Sequence, residues 1–272
     1  MHGRGVVSER TSRNMGKRRS GMVKMLMKMA SSAMLMFAVV SCLSELPGTD
    51  SREPSGKKTV YQASLPGAES RTVLEGQESY WVEGDMITIH NGEREYDFSA
   101  QASDKTKSAE FVYYGDDFSG EKGIIAVYPA SDSYEFDLEH RTVRAEIPDI
   151  QYAVAGSYDP SAPLAVAVSD SRKLLFRNAA ALIQVTLGVD DVRGIIFSGN
   201  DGEPVAGPVI VSMSDDNVIM DVAADDESST EVGLYAKDGT YLKKSAVYYI
   251  AVLPGVFEKG FSLELDIDGE RR

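Results

Sequence analysis

The stretch FSLELDI, residues 261–267, decides the fold class. Its apolar side chains stand at every second position and alternate with polar ones. This alternation places one face of a β-strand on a core and leaves the other face in solvent. The pair Asp268-Gly269 follows, which is typical of a hairpin turn. The stretch therefore predicts an antiparallel strand in a sheet with one wet face.

The same kind of pattern recurs from Thr59 to the end of the chain, with turn signals such as Asn91-Gly92 and Asp238-Gly239 between short β-type runs. No long stripe of helical period occurs. Only residues 177–184 could pass for a helix, and the β-branched residues after them argue against it. Many short strands at this spacing predict an all-β fold of antiparallel sandwiches. The polar run near residue 170 predicts a boundary between one sandwich over 59–170 and a second over 171–272.

Residues 1–42 form a different kind of segment, which ends at the only cysteine of the chain, Cys42. A positive region over 17–28 precedes an apolar run over 29–40, which is too short to span a bilayer comfortably. The order apolar, apolar, small, cysteine resembles the lipobox of bacterial lipoprotein signals, in which the cysteine carries the lipid. We predict a lipoprotein signal peptide with lipidation at Cys42. An ordinary signal peptide with a stray cysteine, or a short membrane anchor, are the alternatives.

The first 14 residues fit none of these segments. Met15 or Met22 is then an alternative start, which would make residues 1–14 or 1–21 an upstream artefact. After the cysteine, residues 43–58 are rich in proline, glycine, serine and charges, and they predict a flexible tether.

The charge of the chain is distributed unevenly. The chain has 28 basic and 42 acidic residues, and residues 1–42 contain eight of the basic residues but only one of the acidic residues. Residues 43–272 therefore have a formal charge near −21. A body this acidic is repelled by phosphate backbones, which disfavours nucleic acid as a partner. With no second cysteine, the body has no disulfide of its own and depends on core packing.

Signals for catalysis or metal binding are weak. His90 ends a strand and His140 lies in a charged turn, and neither has ligand-spaced partners. The paired aspartates are typical of solvated turns. No nucleophile elbow, P-loop or dinucleotide fingerprint occurs. We therefore predict no enzyme, with no catalytic residues, no metal site and no cofactor. A cleft with two carboxylates about 5–10 Å apart would reopen the question.

Trp81 is the only tryptophan. It could pack in a core or offer a stacking face to a sugar. A lone tryptophan within a strand is more often part of a core, and this is the interpretation we favour.

Several motifs, in order along the chain, resemble the Bacteroidales fimbrillin-like lipoproteins. They are RTVL (71–74), YWVEGDMI (80–87), AVYP (126–129), IPDIQ (147–151), FRNAAALIQV (176–185) and YYIAVLPG (248–255) followed by Gly260-Phe261. The resemblance covers the chain from about residue 59 to its end.

The resemblance implies two tandem transthyretin-like β-sandwich domains and a lipid-anchored protein of the cell outer membrane. Members of the family serve as shaft, anchor or tip subunits of fimbriae. In those that polymerise, a protease cuts after an arginine that follows the first strand, and a neighbouring subunit's strand fills the groove. TVYQASL (59–65) would be that strand and Arg71 the cut site, with Arg52 less favoured. The alternative is an ordinary loop arginine in an uncleaved anchor or adhesin.

The C-terminal end departs from the family pattern, because the turn at Asp268-Gly269 is followed by only three residues. Either the second sandwich is truncated at Arg272, or its final partner strand comes from elsewhere.

Two functions are therefore expected. The first is a fimbrial subunit, anchor or tip adhesin, whose partners are other fimbrial subunits or host and microbial surfaces. The second is a carbohydrate-binding surface lipoprotein on the same fold. Its binding platform would use exposed aromatic residues such as Tyr113, Tyr114, Tyr134 or Tyr158.

Overall fold

The computed structural model describes residues 56–65, 79–120 and 123–272. Within these ranges the chain forms nineteen strands and no helix, which confirms the all-β prediction. Residues 177–184 form no helix; they contain Arg177–Asn178 and the start of Ala181–Thr186, two strands separated by two residues. No helix that could cross a membrane occurs in the described ranges. Cys42, Arg52 and Arg71 lie outside the described residues, so lipidation and cleavage stay predictions.

The strands are β1 (Lys58–Ser64), β2 (Met86–His90), β3 (Glu95–Gln101), β4 (Ser108–Tyr114), β5 (Ile124–Tyr128), β6 (Glu135–Asp137), β7 (Thr142–Ile147), β8 (Ile150–Tyr152), β9 (Ala165–Ser169), β10 (Lys173–Leu175), β11 (Arg177–Asn178), β12 (Ala181–Thr186), β13 (Val192–Gly199), β14 (Gly207–Met213), β15 (Ile219–Ala224), β16 (Glu231–Tyr235), β17 (Val247–Val252), β18 (Phe261–Ile267) and β19 (Glu270–Arg271).

The first sheet has eight strands in the order β10-β1-β4-β3-β2-β5-β9-β11. Its two outermost strands are consecutive in the chain and are separated only by Phe176. β10 pairs in parallel with β1, and β11 pairs antiparallel with β9. The backbone N–H of Phe176 donates to the Ser64 carbonyl at 2.9 Å. One segment of chain thus joins both edges, and the sheet closes on itself.

The closed sheet surrounds a core that we call the aromatic core. Eighteen buried residues form it in the described part of the chain, and seven of them are aromatic. The aromatic members are Tyr61, Trp81, Tyr96, Phe98, Phe111, Phe118 and Phe176. Strands β1 to β5 and β9 contribute alternate residues, such as Tyr61 and Ala63 of β1, as strand geometry requires.

Strands β5 and β9 are buried on both faces. In β5, Ile124 and Ala126 face the aromatic core, while Ile125 and Val127 face a second core. β9 alternates in the same way. These two strands therefore form a wall shared by both cores, and this explains why their sequences are almost continuously apolar.

The second core, which we call the aliphatic core, is enclosed by three further sheets. Their strand orders are β19-β18-β13-β16-β8, β15-β14-β7-β6 and β12-β17. Several packed sheets agree with the predicted sandwich class. The predicted boundary falls in the turn between β9 and β10. Because β7 pairs with β14 and β8 pairs with β16, sheets draw strands from both sides of that turn. The transthyretin-like tandem arrangement stays a prediction.

Gln151 fastens β8 to β17 inside the protein. It is fully buried, its amide donates to the carbonyls of Pro148 and Ala251, and its oxygen accepts from the Ala251 N–H at 2.9 Å. All these groups are removed from water, so the side chain satisfies polar atoms that would otherwise be costly.

The turn predicted at Asp268-Gly269 is present, with φ of 54° and 86° at the two positions. After it, β19 pairs with the last two residues of β18. The hairpin therefore has a short second arm, formed by two of the three residues that follow the turn.

Candidate functional site: a tyrosine-lined cleft

A cleft of about 330 Å³ is lined by four tyrosines, Tyr80, Tyr128, Tyr158 and Tyr249. Polar groups of Ser79, Asp85, Lys105 and Ser157 are also part of its wall. The volume lies in the range of small-molecule sites in proteins.

Different elements supply the four tyrosines. Tyr80 precedes a bridge in which the Trp81 N–H donates to the Thr106 carbonyl at 2.8 Å. Tyr128 ends β5, and Tyr158 lies in the loop between β8 and β9. Tyr249 lies in β17 between two buried residues, so the alternation of the strand turns it away from the aliphatic core.

The tyrosines are held by specific contacts. The Tyr158 hydroxyl donates to Ser79 Oγ at 3.3 Å. Lys107 Nζ lies 4.4 Å from the centroid of the Tyr80 ring, a cation–π distance. Tyr80 is nevertheless 39% exposed and so keeps ring surface open to a ligand.

Asp85 is the acidic residue of the cleft. One of its carboxylate oxygens accepts from the Val82 N–H at 2.8 Å, and the other accepts from the Tyr128 hydroxyl at 3.3 Å. Burial raises the pKa of Asp85, although these two hydrogen bonds oppose the shift. Burial also raises the pKa of Tyr128, with the Asp85 charge adding to the effect, so the hydroxyl remains a donor.

Such a wall can recognise a polyol. Tyrosine rings offer amphipathic faces with a polar rim, and a carboxylate has further lone pairs after accepting one hydrogen bond on each oxygen. Asp85 is the one acidic residue among the lining residues in the described part of the chain. The cleft by itself therefore does not supply the pair of carboxylates that glycosidases use.

The sequence prediction for Trp81 as a core residue is confirmed. The side chain is 1% exposed and meets Phe111, Tyr128 and Phe176 edge to face, with centroids 4.9, 5.0 and 5.4 Å away. It therefore offers no open stacking face.

Of the four tyrosines predicted as a platform, only Tyr158 lines the cleft. Tyr134 is only 8% exposed, and its hydroxyl donates to the Pro129 carbonyl. The prediction that Tyr134 is an exposed aromatic residue is therefore wrong. Tyr113 donates to Asp117 at 2.7 Å, and Tyr114 is 39% exposed at the end of β4. Neither lies in the cleft wall.

The sequence prediction missed Tyr80, Tyr128, Tyr249 and Asp85. Strand alternation could have indicated that Tyr249 points outward, because its neighbours Tyr248 and Ile250 fit the inward face of the strand. Tyr80 precedes the Trp81 bridge, Asp85 directly precedes β2 and Tyr128 ends β5, and only the tertiary fold brings these positions together.

The two histidines of the described ranges, His90 and His140, belong to no group that could hold a metal ion. His90 Nδ1 accepts from the Gly92 N–H at 3.1 Å, and His140 Nδ1 pairs with Asp137 Oδ2 at 2.7 Å. Across the described ranges, no group of three or more His, Cys, Asp or Glu side chains could hold a metal ion.

No family model and no curated protein matches this chain. Among solved structures, the chain is similar to a "putative cell adhesion protein" from Bacteroides uniformis. The two are 13% identical with a TM-score of 0.43, and the match covers 78% of this chain and 80% of the other. A likeness this weak does not indicate the family or the function.

Proposed function

We propose that this protein is a surface adhesin that binds a neutral carbohydrate in the tyrosine-lined cleft. The observation that carries the proposal is the wall of the cleft, where four tyrosines surround an anchored carboxylate.

The chemistry of a sugar fits this wall. A pyranose ring has apolar C–H faces and a rim of hydroxyls, so ring faces of Tyr80 and Tyr158 would pack on it while Asp85 accepts from its hydroxyls. The charge near −21 over residues 43–272 favours a neutral sugar over an anionic one.

The proposal also places the protein at the outer membrane. The lipobox resemblance at Cys42 supports a lipid anchor, and the fimbrillin-like motifs support display at the cell surface, as an anchor or a tip adhesin. Its partners would then be host or microbial glycans.

A glycan array tests the proposal. The purified full-length chain is expected to bind at least one neutral glycan, and Tyr158→Ala should lose about tenfold or more in affinity, because stacking area is removed. Tyr114→Ala is the matched control, since this tyrosine is exposed but lies outside the cleft. Equal binding by all three proteins, or by none, would contradict the proposal.

A second candidate function is that of a polymerising fimbrial subunit, and the position of β1 favours it. β1 pairs with β4 over seven residues and with β10 over three, and it places Tyr61 and Ala63 in the aromatic core. Its removal after a cut at Arg71 would open a groove between two strands, ready for a strand from a neighbour.

N-terminal sequencing of shed surface material distinguishes the two fates of β1. A subunit processed at Arg71 would begin at Thr72. A start at Cys42 in every form would end the strand-exchange proposal and leave the adhesin proposal intact.

A further inference from the structure

The turn between β2 and β3 contains the one Asn-Gly pair of the chain, Asn91-Gly92. An asparagine in this position can lose ammonia when the backbone nitrogen of the next residue attacks its side-chain amide carbon. Glycine favours the attack because it has no Cβ to hinder the approach. The two groups are held together by the backbone itself, so the ring closes without an encounter between separate molecules. The groups around the pair then decide whether folding favours the reaction.

A base lies at the attacking nitrogen. The Gly92 N–H donates to His90 Nδ1 at 3.1 Å. Burial lowers the pKa of His90, although the charge of Glu95 opposes the shift, so folding favours the neutral ring. The Phe136 ring lies against the imidazole, with centroids 4.9 Å apart. A neutral imidazole within hydrogen-bond distance of the proton to be removed is the arrangement of a general base.

Two donors lie at the oxygen of the amide under attack. Asn91 Oδ1 accepts from the N–H of Glu93 at 3.0 Å and from the N–H of Arg94 at 2.9 Å. Attack on the amide carbon places negative charge on this oxygen, and a pair of fixed backbone N–H groups stabilises such an oxyanion. Asn91 is only 7% exposed, so the two donors act where water competes little.

The amide nitrogen, which leaves in the reaction, is also held. Asn91 Nδ2 donates to the Ser119 carbonyl. Gly120 packs closely beside this contact, since a Cβ at that position would lie 3.1 Å from the Asn91 backbone oxygen. The three hydrogen bonds of the side chain together fix which of its atoms is the oxygen and which is the nitrogen.

We propose that Asn91 is a self-modification site, at which His90 takes the proton of the Gly92 N–H while this nitrogen attacks Asn91 Cγ. The N–Cγ bond forms and the Cγ–Nδ2 bond breaks. The proton from Gly92 leaves with Nδ2 as ammonia, and a cyclic imide remains. One water molecule then opens the imide to aspartate or isoaspartate. Neither step oxidises or reduces the chain, so water is the only further reactant.

The product differs from asparagine in charge and in hydrogen bonding. A carboxylate has no N–H to donate to the Ser119 carbonyl, and a buried charge without a partner is costly. The contact between the turn over 91–94 and Ser119 should therefore be lost in the modified protein.

Peptide mass spectrometry of the wild-type full chain tests the proposal. The protein is kept at neutral pH, either folded or denatured in urea, and digested at intervals. The peptide that contains Asn91 is then followed for loss of ammonia and for gain of water. The folded chain should react about tenfold or more faster than the denatured chain, since a positioned base contributes at least this much. An equal or slower rate in the folded chain would overturn the proposal and show that the hydrogen bonds protect Asn91.

His90→Gln gives a second measurement, because it keeps a hydrogen-bond acceptor and removes the base. The folded variant should react about tenfold or more slowly than the wild-type chain, and the two denatured chains should react equally fast. His140→Gln is the matched control, since His140 is exposed and pairs with Asp137. Circular dichroism checks that both variants fold. A folded His90→Gln variant that reacts at the wild-type rate would contradict the proposal. Neither measurement involves a glycan, so the outcome is independent of the proposed adhesin function.

Discussion

The two cores of this protein are built from different side chains. Seven of the eighteen buried residues of the aromatic core are aromatic, against three of the twenty-eight in the aliphatic core, as counted in the described residues. The aromatic core fills a sheet closed on itself, and its rings meet edge to face, as between Tyr61 and Phe98. The aliphatic core lies between separate sheets and consists mainly of valine, isoleucine, leucine and alanine.

The difference shows how the cleft is connected to the fold. Trp81 belongs to the aromatic core, and Tyr128 contacts Trp81 edge to face while lining the cleft. In the described part of the chain, no buried member of either core lines the cleft, and each core reaches it through one residue at its margin, Tyr128 for the aromatic core and Leu182 for the aliphatic core. Damage beside Trp81 should reach the cleft through the contact between Trp81 and Tyr128. Damage at Phe197, whose ring contacts are Phe257 and Phe261, should not reach it.

The largest expected effect comes from Phe111→Ala, which removes a ring that packs 4.9 Å from Trp81. It should lower the free energy of unfolding by about 3–5 kcal/mol, as for other buried phenylalanines, and also weaken glycan binding. Urea denaturation and calorimetric titration measure the two quantities. Phe197→Ala is the matched control, since Phe197 is fully buried in the aliphatic core. Loss of glycan binding in both variants, or in neither, would contradict the predicted difference between the two cores.

A smaller effect is expected from Gln151→Leu. The change leaves the N–H of Ala251 and two carbonyls without their partner, so the free energy of unfolding should fall by about 1–3 kcal/mol. Gln101→Leu, at an exposed position of β3, should change it by less than about 0.5 kcal/mol. Both variants should still bind glycan. A Gln151→Leu variant with unchanged free energy of unfolding would show that Gln151 does not stabilise the contact between β8 and β17.

The smallest effect concerns pH and Asp85. Since burial raises the pKa of Asp85 above its ordinary value of 3.8, the folded state favours the protonated form. Its contribution to stability is present below pH 3.8 and is lost as the pH rises through the folded pKa. Asp85→Asn should remove this part of the pH dependence, so its stability relative to the unmodified protein should improve from pH 3.5 to pH 7. If the free energies of unfolding of the two proteins change in parallel with pH over that interval, burial does not raise the pKa of the Asp85 carboxyl.

The fold class could be predicted from local patterns, while the site could not. Alternation in FSLELDI and the Asp268-Gly269 turn are local signals, and β18 and its turn occur where they indicated. The predicted core face is only partly correct, because Leu265 and Ile267 pack against the aliphatic core while Phe261 and Leu263 are 53% and 39% exposed. The buried state of Trp81 agrees with the expectation that a lone tryptophan within a strand packs in a core. The cleft brings together Asp85, Tyr158 and Tyr249, which are far apart in the sequence. Pairing across sheets determines their proximity, and no local pattern contains that information.

The most direct test of the account uses the fluorescence of Trp81, the only tryptophan and a neighbour of the cleft. The purified chain is titrated with the neutral glycan that ranks first on the array. The account predicts a saturable change in intensity or wavelength, with a midpoint about tenfold or more higher in Tyr158→Ala. Unchanged fluorescence at glycan concentrations that saturate the array signal would show that the glycan binds elsewhere, and would contradict the cleft as the binding site.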